Sequence, residues 1–300
     1  MQIFYTDEFV LPLPPGHRFP MEKYRLLREA VATPGGVSGA RLGVPDATSD
    51  SELLLVHTRE YLDALLAGTL EYRAARAIGF PWSTGMVERS RRSVGATVAA
   101  ARAALADGAG ANLAGGTHHA FPDRGGGFCV FNDVAVAARV LQQEGAVSRV
   151  AVLDLDVHQG DGTAAIFRND PSVFTVSVHG GANYPFRKER SDLDLPLDDR
   201  AGDDAFLPAV ERAVEAAVED GRPDLLFYIA GADPHEGDRL GRLSVTREAL
   251  AHRDHLVVEA CRGRGIPVAV VMGGGYGQEI RDTVAIHLAS VKAVAELVGS

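Results

Sequence analysis

Short apolar runs at residues 3–5, 53–56, 112–114, 150–155, 173–178, 225–229 and 267–272 alternate with longer stretches whose apolar residues recur every three or four positions. The short runs predict strands and the long stretches predict helices, because side chains repeat with a period of two along a strand and 3.6 along a helix. The helical stretches cover residues 22–32, 86–106, 133–144, 203–219, 246–264 and 279–298, most of them rich in alanine. Ser244 and Thr246 precede one of them and Asp203 opens another, each a residue type whose side chain caps free backbone N–H groups. The strands are continuously apolar rather than alternating, so both faces of the sheet must be covered, as parallel sheets require. The expected architecture is α/β: a single-domain three-layer sandwich with a mostly parallel central sheet and helices on both faces. Residues 35–51 and 180–204, rich in turn formers, are the expected long loops, and no linker, repeat or low-complexity tract divides residues 1–300.

Four of the strand runs end abruptly in polar or glycine-rich segments. These are Gly115-Gly116-Thr117-His118-His119, the AVLDLDVHQGDG stretch at 151–162, Gly231-Ala232-Asp233 and Gly273-Gly274-Gly275-Tyr276. Ligands of open parallel sheets bind beyond the carboxyl ends of the strands, so the four segments should converge. In the second segment, strand alternation places Asp154, Asp156 and His158 on one side, and two carboxylates that close require a cation. Asp-x-His supplies two ordinary ligands for Zn²⁺. Alone, such a pair reads as a solvated strand end, His118-His119 as a solvated loop pair, and Tyr276, Phe128 and Tyr184 as packing aromatics. The common placement of the four segments after parallel strands favours a site for their aspartates, histidines and Tyr276, while Phe128 and Tyr184 keep the packing reading on the residues alone.

Composition narrows the function. Of 300 residues, 46% are hydrophobic and 23% charged, enough apolar content for a sizeable buried core. A net charge of −10 without a Lys/Arg cluster argues against a nucleic-acid partner. Cys129 and Cys261 are far apart and form no CxxC pattern, which excludes a disulfide framework and a thiolate zinc site. The amino terminus is acidic where a signal peptide is basic, and no apolar run approaches the roughly 20 residues that span a bilayer, so no membrane partner and a cytoplasmic location are expected. Only Lys23, Lys188 and Lys292 among the 30 basic residues are lysines, a bias of GC-rich bacterial genomes that makes histones poor candidates for the natural substrate.

Together these segments resemble the zinc-dependent histone deacetylase family of the arginase/deacetylase superfamily. DRGGGFCVFND at 123–133, EGDRLGRLSVT at 236–246 and RGRGIPV at 262–268 are most similar to its class IV branch and bacterial relatives. The resemblance implies Asp156, His158 and Asp233 as ligands of one Zn²⁺, with Fe²⁺ as the substitute ion and a structural K⁺ elsewhere. It implies His118 and His119 as the catalytic pair, oriented by Asp154 and Asp161 respectively, and Tyr276 as the catalytic tyrosine. Gly127, Phe128 and Tyr184 would line the channel for an acyl-lysine stem, with Leu240 at its rim. The implied substrate is an acyl-lysine protein or peptide bearing an acetyl or longer acyl group. An acylated small amine such as an acetylpolyamine is the alternative, since His235, Glu236 and Asp238 lie near the rim position. Arginase-type two-metal chemistry is disfavoured because Gly160 stands where a second bridging aspartate is needed. A non-catalytic binding module would have lost catalytic groups, and here every such position is filled. The remaining histidines, His17, His57, His179, His235, His252, His255 and His287, read as turn, helix or core residues, His17 lying nearest the channel mouth.

Overall fold

The computed structural model describes residues 1–298. Eight strands form one sheet: Gln2–Phe4 (β1), Arg41–Gly43 (β2), Ala109–Asn112 (β3), Val150–Asp154 (β4), Val173–Gly180 (β5), Leu193–Leu197 (β6), Leu225–Ile229 (β7) and Val268–Val271 (β8). Every pairing is parallel and the spatial order is β2-β1-β3-β8-β7-β4-β5-β6. The helices are Lys23–Ala32 (α1), Asp50–Leu53 (α2), Arg59–Ala67 (α3), Tyr72–Ile78 (α4), Thr84–Asp107 (α5), Asp133–Gln143 (α6), Asp161–Phe167 (α7), Asp203–Glu219 (α8), Arg247–Arg262 (α9) and Ile280–Ala295 (α10). Both sheet faces are covered, as the unbroken apolar strands require. Along β4, Ala151 and Leu153 pack into a core with α1, α8, α9 and α10, whereas Val150 and Val152 pack into a second core with α3, α5 and α6.

Several expectations need correction. Residues 53–56 are not a strand: Ser49 and Glu52 form a capping box that nucleates α2, and Leu53 is buried against α5 and α6. Two strands fall inside the segments expected to be loops. Both β2 and β6 are sheet edges with half-exposed residues, and β6 holds Pro196, so neither carries a strong apolar signal. The strand expected at 112–114 lies at Ala109–Asn112 instead, its Ala-Gly-Ala-Asn sequence being selected by burial rather than propensity. Thr246 does cap α9, accepting from the Ala249 N–H. Asp203 does not cap α8; its carboxylate accepts from the Thr246 N–H and hydroxyl and so ties the starts of two helices together.

His57 is a structural histidine beside the site. Its Nε2 accepts from the Asn132 N–H at 3.0 Å, which leaves Nδ1 to donate to the Phe121 carbonyl at 3.0 Å. Burial pushes its pKa down from 6.5 to about 4, with the backbone hydrogen bonds offsetting only part of that. The unfolded chain therefore binds this proton at a higher pH than the folded one, and stability that is present above pH 6.5 is lost as pH falls towards 4. We expect this group to contribute on the order of 3 kcal/mol of acid destabilisation. Denaturant unfolding across that range should show it, and His57→Gln should flatten the slope; an unaltered slope would remove His57 as its source.

Candidate active site

The four segments singled out by the sequence follow β3, β4, β7 and β8, and these are the four adjacent central strands, in the order β3-β8-β7-β4. Parallel pairing aligns their carboxyl ends, so residues 113–119, 155–161, 230–233 and 272–276 meet above the middle of the sheet. A cavity of about 660 Å³ opens there, lined by His118, His119, Gly127, Phe128, Asp156, His158, Tyr184, Leu240 and Tyr276 among others.

At its floor, Asp156, His158 and Asp233 offer ligand atoms that all lie within 4.8 Å of one another. The His158 Nδ1 is 3.0 Å from Asp156 Oδ1 and 3.1 Å from Asp233 Oδ2, so three donors aim at one point. β4 ends at Asp154, and the convergence of Asp156 with His158 comes from a tight turn rather than from strand alternation: the Asp156 carboxylate accepts the His158 N–H at 2.9 Å. Burial, and then the negative charge of Asp156, raises the Asp233 carboxyl to about 7. Burial lowers His158, but hydrogen bonds to Asp156 and Asp233 outweigh it and hold the imidazole up at about 10. A site so short of positive charge fits a divalent cation, which replaces the His158 proton and lets both carboxylates ionise. Backbone makes room for these carboxylates. The Gly274 N–H donates to Asp156 Oδ2 at 2.6 Å, and a side chain at this position would overlap the Asp233 carboxylate.

Beside this cluster the His118 and His119 rings lie 4.2 Å apart, each backed by a carboxylate. His118 Nδ1 pairs with Asp154 Oδ2 at 2.7 Å and His119 Nδ1 with Asp161 Oδ1 at 2.7 Å. Similar contacts give opposite charge states. Burial disfavours protonation of both rings, yet the Asp154 and Asp156 charges raise His118 to about 9, whereas burial and the neighbouring His118 charge lower His119 to about 4. The pair is therefore biased towards a proton on His118 and a free imidazole at His119. Gly160 is required here, because a side chain would run into Asp154 and His118, so the position at which a two-metal site needs a carboxylate cannot carry one. Among the described residues, Asp156, His158 and Asp233 are the only cluster with metal-ligand geometry.

Tyr276 is buried, its N–H donating to Asp238 at 2.6 Å and its carbonyl accepting from Arg239 at 2.8 Å, which fixes the ring in the cavity wall. Burial, then the charges of Asp233 and Asp156, raises its phenol well above the ordinary value, so the hydroxyl stays a neutral donor. Tyr184 packs edge-on to His119 at 4.9 Å, Phe128 packs between Phe19 and Tyr276, and Leu240 is held by the Asn183 side chain donating to its carbonyl at 2.8 Å. His17 stacks on Phe80 near Phe128, a packing role at the mouth.

Two groups that hold the site together were not singled out from the sequence. Asp133, the first residue of α6, accepts from the Gly116 N–H, the Thr117 N–H and hydroxyl and the Thr97 hydroxyl, which locks the loop that carries both histidines. Arg253, fully buried on α9, donates to the Gly231 carbonyl at 2.6 Å and pairs with Asp254, which also accepts from Tyr228 and Ser290. The available signal was a charge on the apolar face of a helix. Cys129 and Cys261 are free and buried. No helix among the described residues is long and apolar enough to cross a membrane.

A parallel α/β sheet whose central strands end in a buried Asp-His-Asp cluster, a carboxylate-backed histidine pair and a tyrosine defines a class of amidohydrolases able to hold a divalent metal. The histone deacetylase domain profile matches residues 17–291, and the chain belongs to that family. It is 46% identical to an uncharacterized protein of Picosynechococcus sp. (strain ATCC 27264 / PCC 7002 / PR-6), covering 95% of each chain. It is 33% identical to the acetoin utilization protein AcuC of Bacillus subtilis (strain 168), over 87% of this chain and 73% of that one. It is 32% identical to a histone deacetylase-like amidohydrolase of Pseudomonas aeruginosa, over 89% and 74%. Among solved structures it is similar to an HDAC homolog complexed with SAHA, with a TM-score of 0.80, 26% identity and coverage of 99% and 83%. An acetylpolyamine aminohydrolase from Burkholderia pseudomallei shares the fold at a TM-score of 0.78 and 23% identity, covering 100% of both chains.

Proposed function

We propose that residues 1–300 form one catalytic domain, similar to the class IV branch, that removes acyl groups from the ε-amine of lysine with zinc as its metal. The observation that carries this is the Asp156–His158–Asp233 cluster, its ligand atoms within 4.8 Å, on the floor of the cavity that His118, His119 and Tyr276 also line. Two carboxylates and one imidazole would hold the ion and leave positions open. Once bound, it supplies an acidified water and a Lewis acid for the acyl carbonyl.

The chain's own groups supply the rest. His119, neutral and aligned by Asp161, accepts the proton from the attacking water and returns it to the leaving amine. His118, kept protonated by Asp154, adds positive charge beside the reacting carbon. The Tyr276 hydroxyl donates to the oxygen that becomes negative. Gly127, Phe128 and Tyr184 flank the lysine stem and Leu240 meets the backbone at the rim.

The cavity lining favours acyl-lysine over a polyamine. Arg18, Arg89, Arg239 and Arg242 line it, Arg242 being paired with Asp199, while the acids at its floor, Asp156 and Asp233, are those that would hold the metal. Asp238, the acid nearest the rim, is occupied by the N–H groups of Tyr276, Leu240 and Gly241. A polycation would enter against that charge. Metal-loaded protein should therefore cleave acetyl-lysine peptides with a higher kcat/KM than acetylated polyamines. The reverse ranking would make it a polyamine deacetylase, and no turnover of any acylated amine would end the proposal.

A further inference from the structure

Arg89, on α5, is 7% exposed, and its one described partner is the Tyr24 ring, 4.9 Å from its Cζ. No carboxylate among the described residues pairs with it. Buried Arg253, by contrast, is matched by Asp254 and a backbone carbonyl. A buried charge without a counter-charge is costly, and a group of opposite sign brought beside it relieves that cost. What can visit is set by the cavity, because Arg89, Tyr24 and Ser93 line the same space as His118, His119 and Tyr276.

A second cation points the same way. The Lys23 Nζ is buried 5.3 Å from the Tyr276 ring and 5.3 Å from the Tyr24 ring, and its hydrogen bond goes to the Gly275 carbonyl at 3.3 Å, again with no acid among the described residues paired to it. From Tyr276 the wall therefore runs through Tyr24 to Arg89, with Lys23 packed against both tyrosine rings and the Ser93 hydroxyl one turn further along α5. A purely hydrocarbon acyl chain would leave that guanidinium unanswered, whereas a terminal carboxylate would pair with it.

We infer that this inner arm takes acyl groups that end in a carboxylate, with Arg89 as their partner, so that the substrate class includes lysine carrying a four- or five-carbon dicarboxylic acyl group such as succinyl or glutaryl. The inference rests on the deacylase reading. The chemistry is unchanged: the oxygen of water bonds to the acyl carbon, the amide C–N bond breaks, the proton ends on the ε-amine and the dicarboxylate leaves.

The test uses metal-loaded protein and one peptide carrying acetyl-, butyryl-, succinyl-, pentanoyl- or glutaryl-lysine. Butyryl and succinyl, like pentanoyl and glutaryl, have the same carbon number and differ in the terminal carboxylate. The charged member should have the higher kcat/KM by roughly tenfold or more, the scale of a charge-assisted hydrogen bond. Arg89→Met should abolish that preference and Arg89→Lys should keep part of it, with thermal melting confirming that both variants fold. A wild-type preference for the neutral members, or a charged preference that survives Arg89→Met, overturns the inference.

Calorimetric titration gives a readout free of turnover. Glutarate should bind the wild type more tightly than pentanoate, and Arg89→Met should lose the difference. Equal binding of the two would assign Arg89 to the single carboxylate common to every hydrolysis product and overturn its role with the acyl terminus. Failure of the deacylase reading looks different: no acyl-lysine, acetyl included, would be cleaved while glutarate still bound through Arg89, and the acyl assignment would fall with that reading.

Discussion

Asp156→Ala should purify with a zinc content near zero, gain no thermal stability on added zinc, and lose turnover on the order of a thousandfold. Asp156 is one of the two carboxylates within 3.1 Å of the His158 Nδ1 and the acceptor for the Gly274 N–H, so its removal opens the donor set and frees the glycine loop before Tyr276. Helices and sheet should persist, since the strands and both cores are packed by other residues. Metal analysis of the purified variant, with melting curves taken with and without zinc, checks the expectation. A variant that keeps one zinc per chain at wild-type affinity would refute the assignment of Asp156 as a ligand.

Tyr276→Phe should lower kcat by about 10² to 10³, near 3 kcal/mol, the usual cost of deleting one oxyanion donor. KM, zinc content and hydroxamate binding should change little. The substitution removes an oxygen and keeps the ring, so contacts with Phe19, Phe128 and Lys23 survive. Its phenol is held neutral by burial and by Asp233 and Asp156, which makes it a donor across the working pH range. Steady-state kinetics alongside inhibitor titration separate the two effects. Unchanged turnover would take Tyr276 out of the reaction, and a parallel loss of inhibitor binding would make it a packing residue instead.

The proposed catalytic cluster could be picked out in the chain because its residue types are expensive anywhere else. Aspartates and histidines directly after buried apolar strands make sense only if they serve a common site, and parallel topology permits one such place. The structure supplied what spacing could not. Asp154 and Asp156 are two residues apart, yet one backs His118 and the other meets His158, a division set by the turn after β4. The different proton affinities of His118 and His119 likewise depend on which charges lie near each ring: Asp154 and Asp156 for His118, and for His119 the adjacent His118 together with Asp161.

Sequence by itself determined the α/β class, the central strands, the long helices and the family to which the chain belongs, because each rests on local periodicity or on a contiguous motif. Only the tertiary structure decided the edge strands β2 and β6, the helix at Asp50–Leu53 and the arginines that line the cavity. Edge strands bury one side alone and so carry little apolar pattern. An arginine such as Arg89 reads as a solvated helix residue until the fold shows it buried in the cavity wall, with no carboxylate among the described residues paired to it. Burial and partnership are properties of chain segments brought together across space, and neighbouring letters do not encode them.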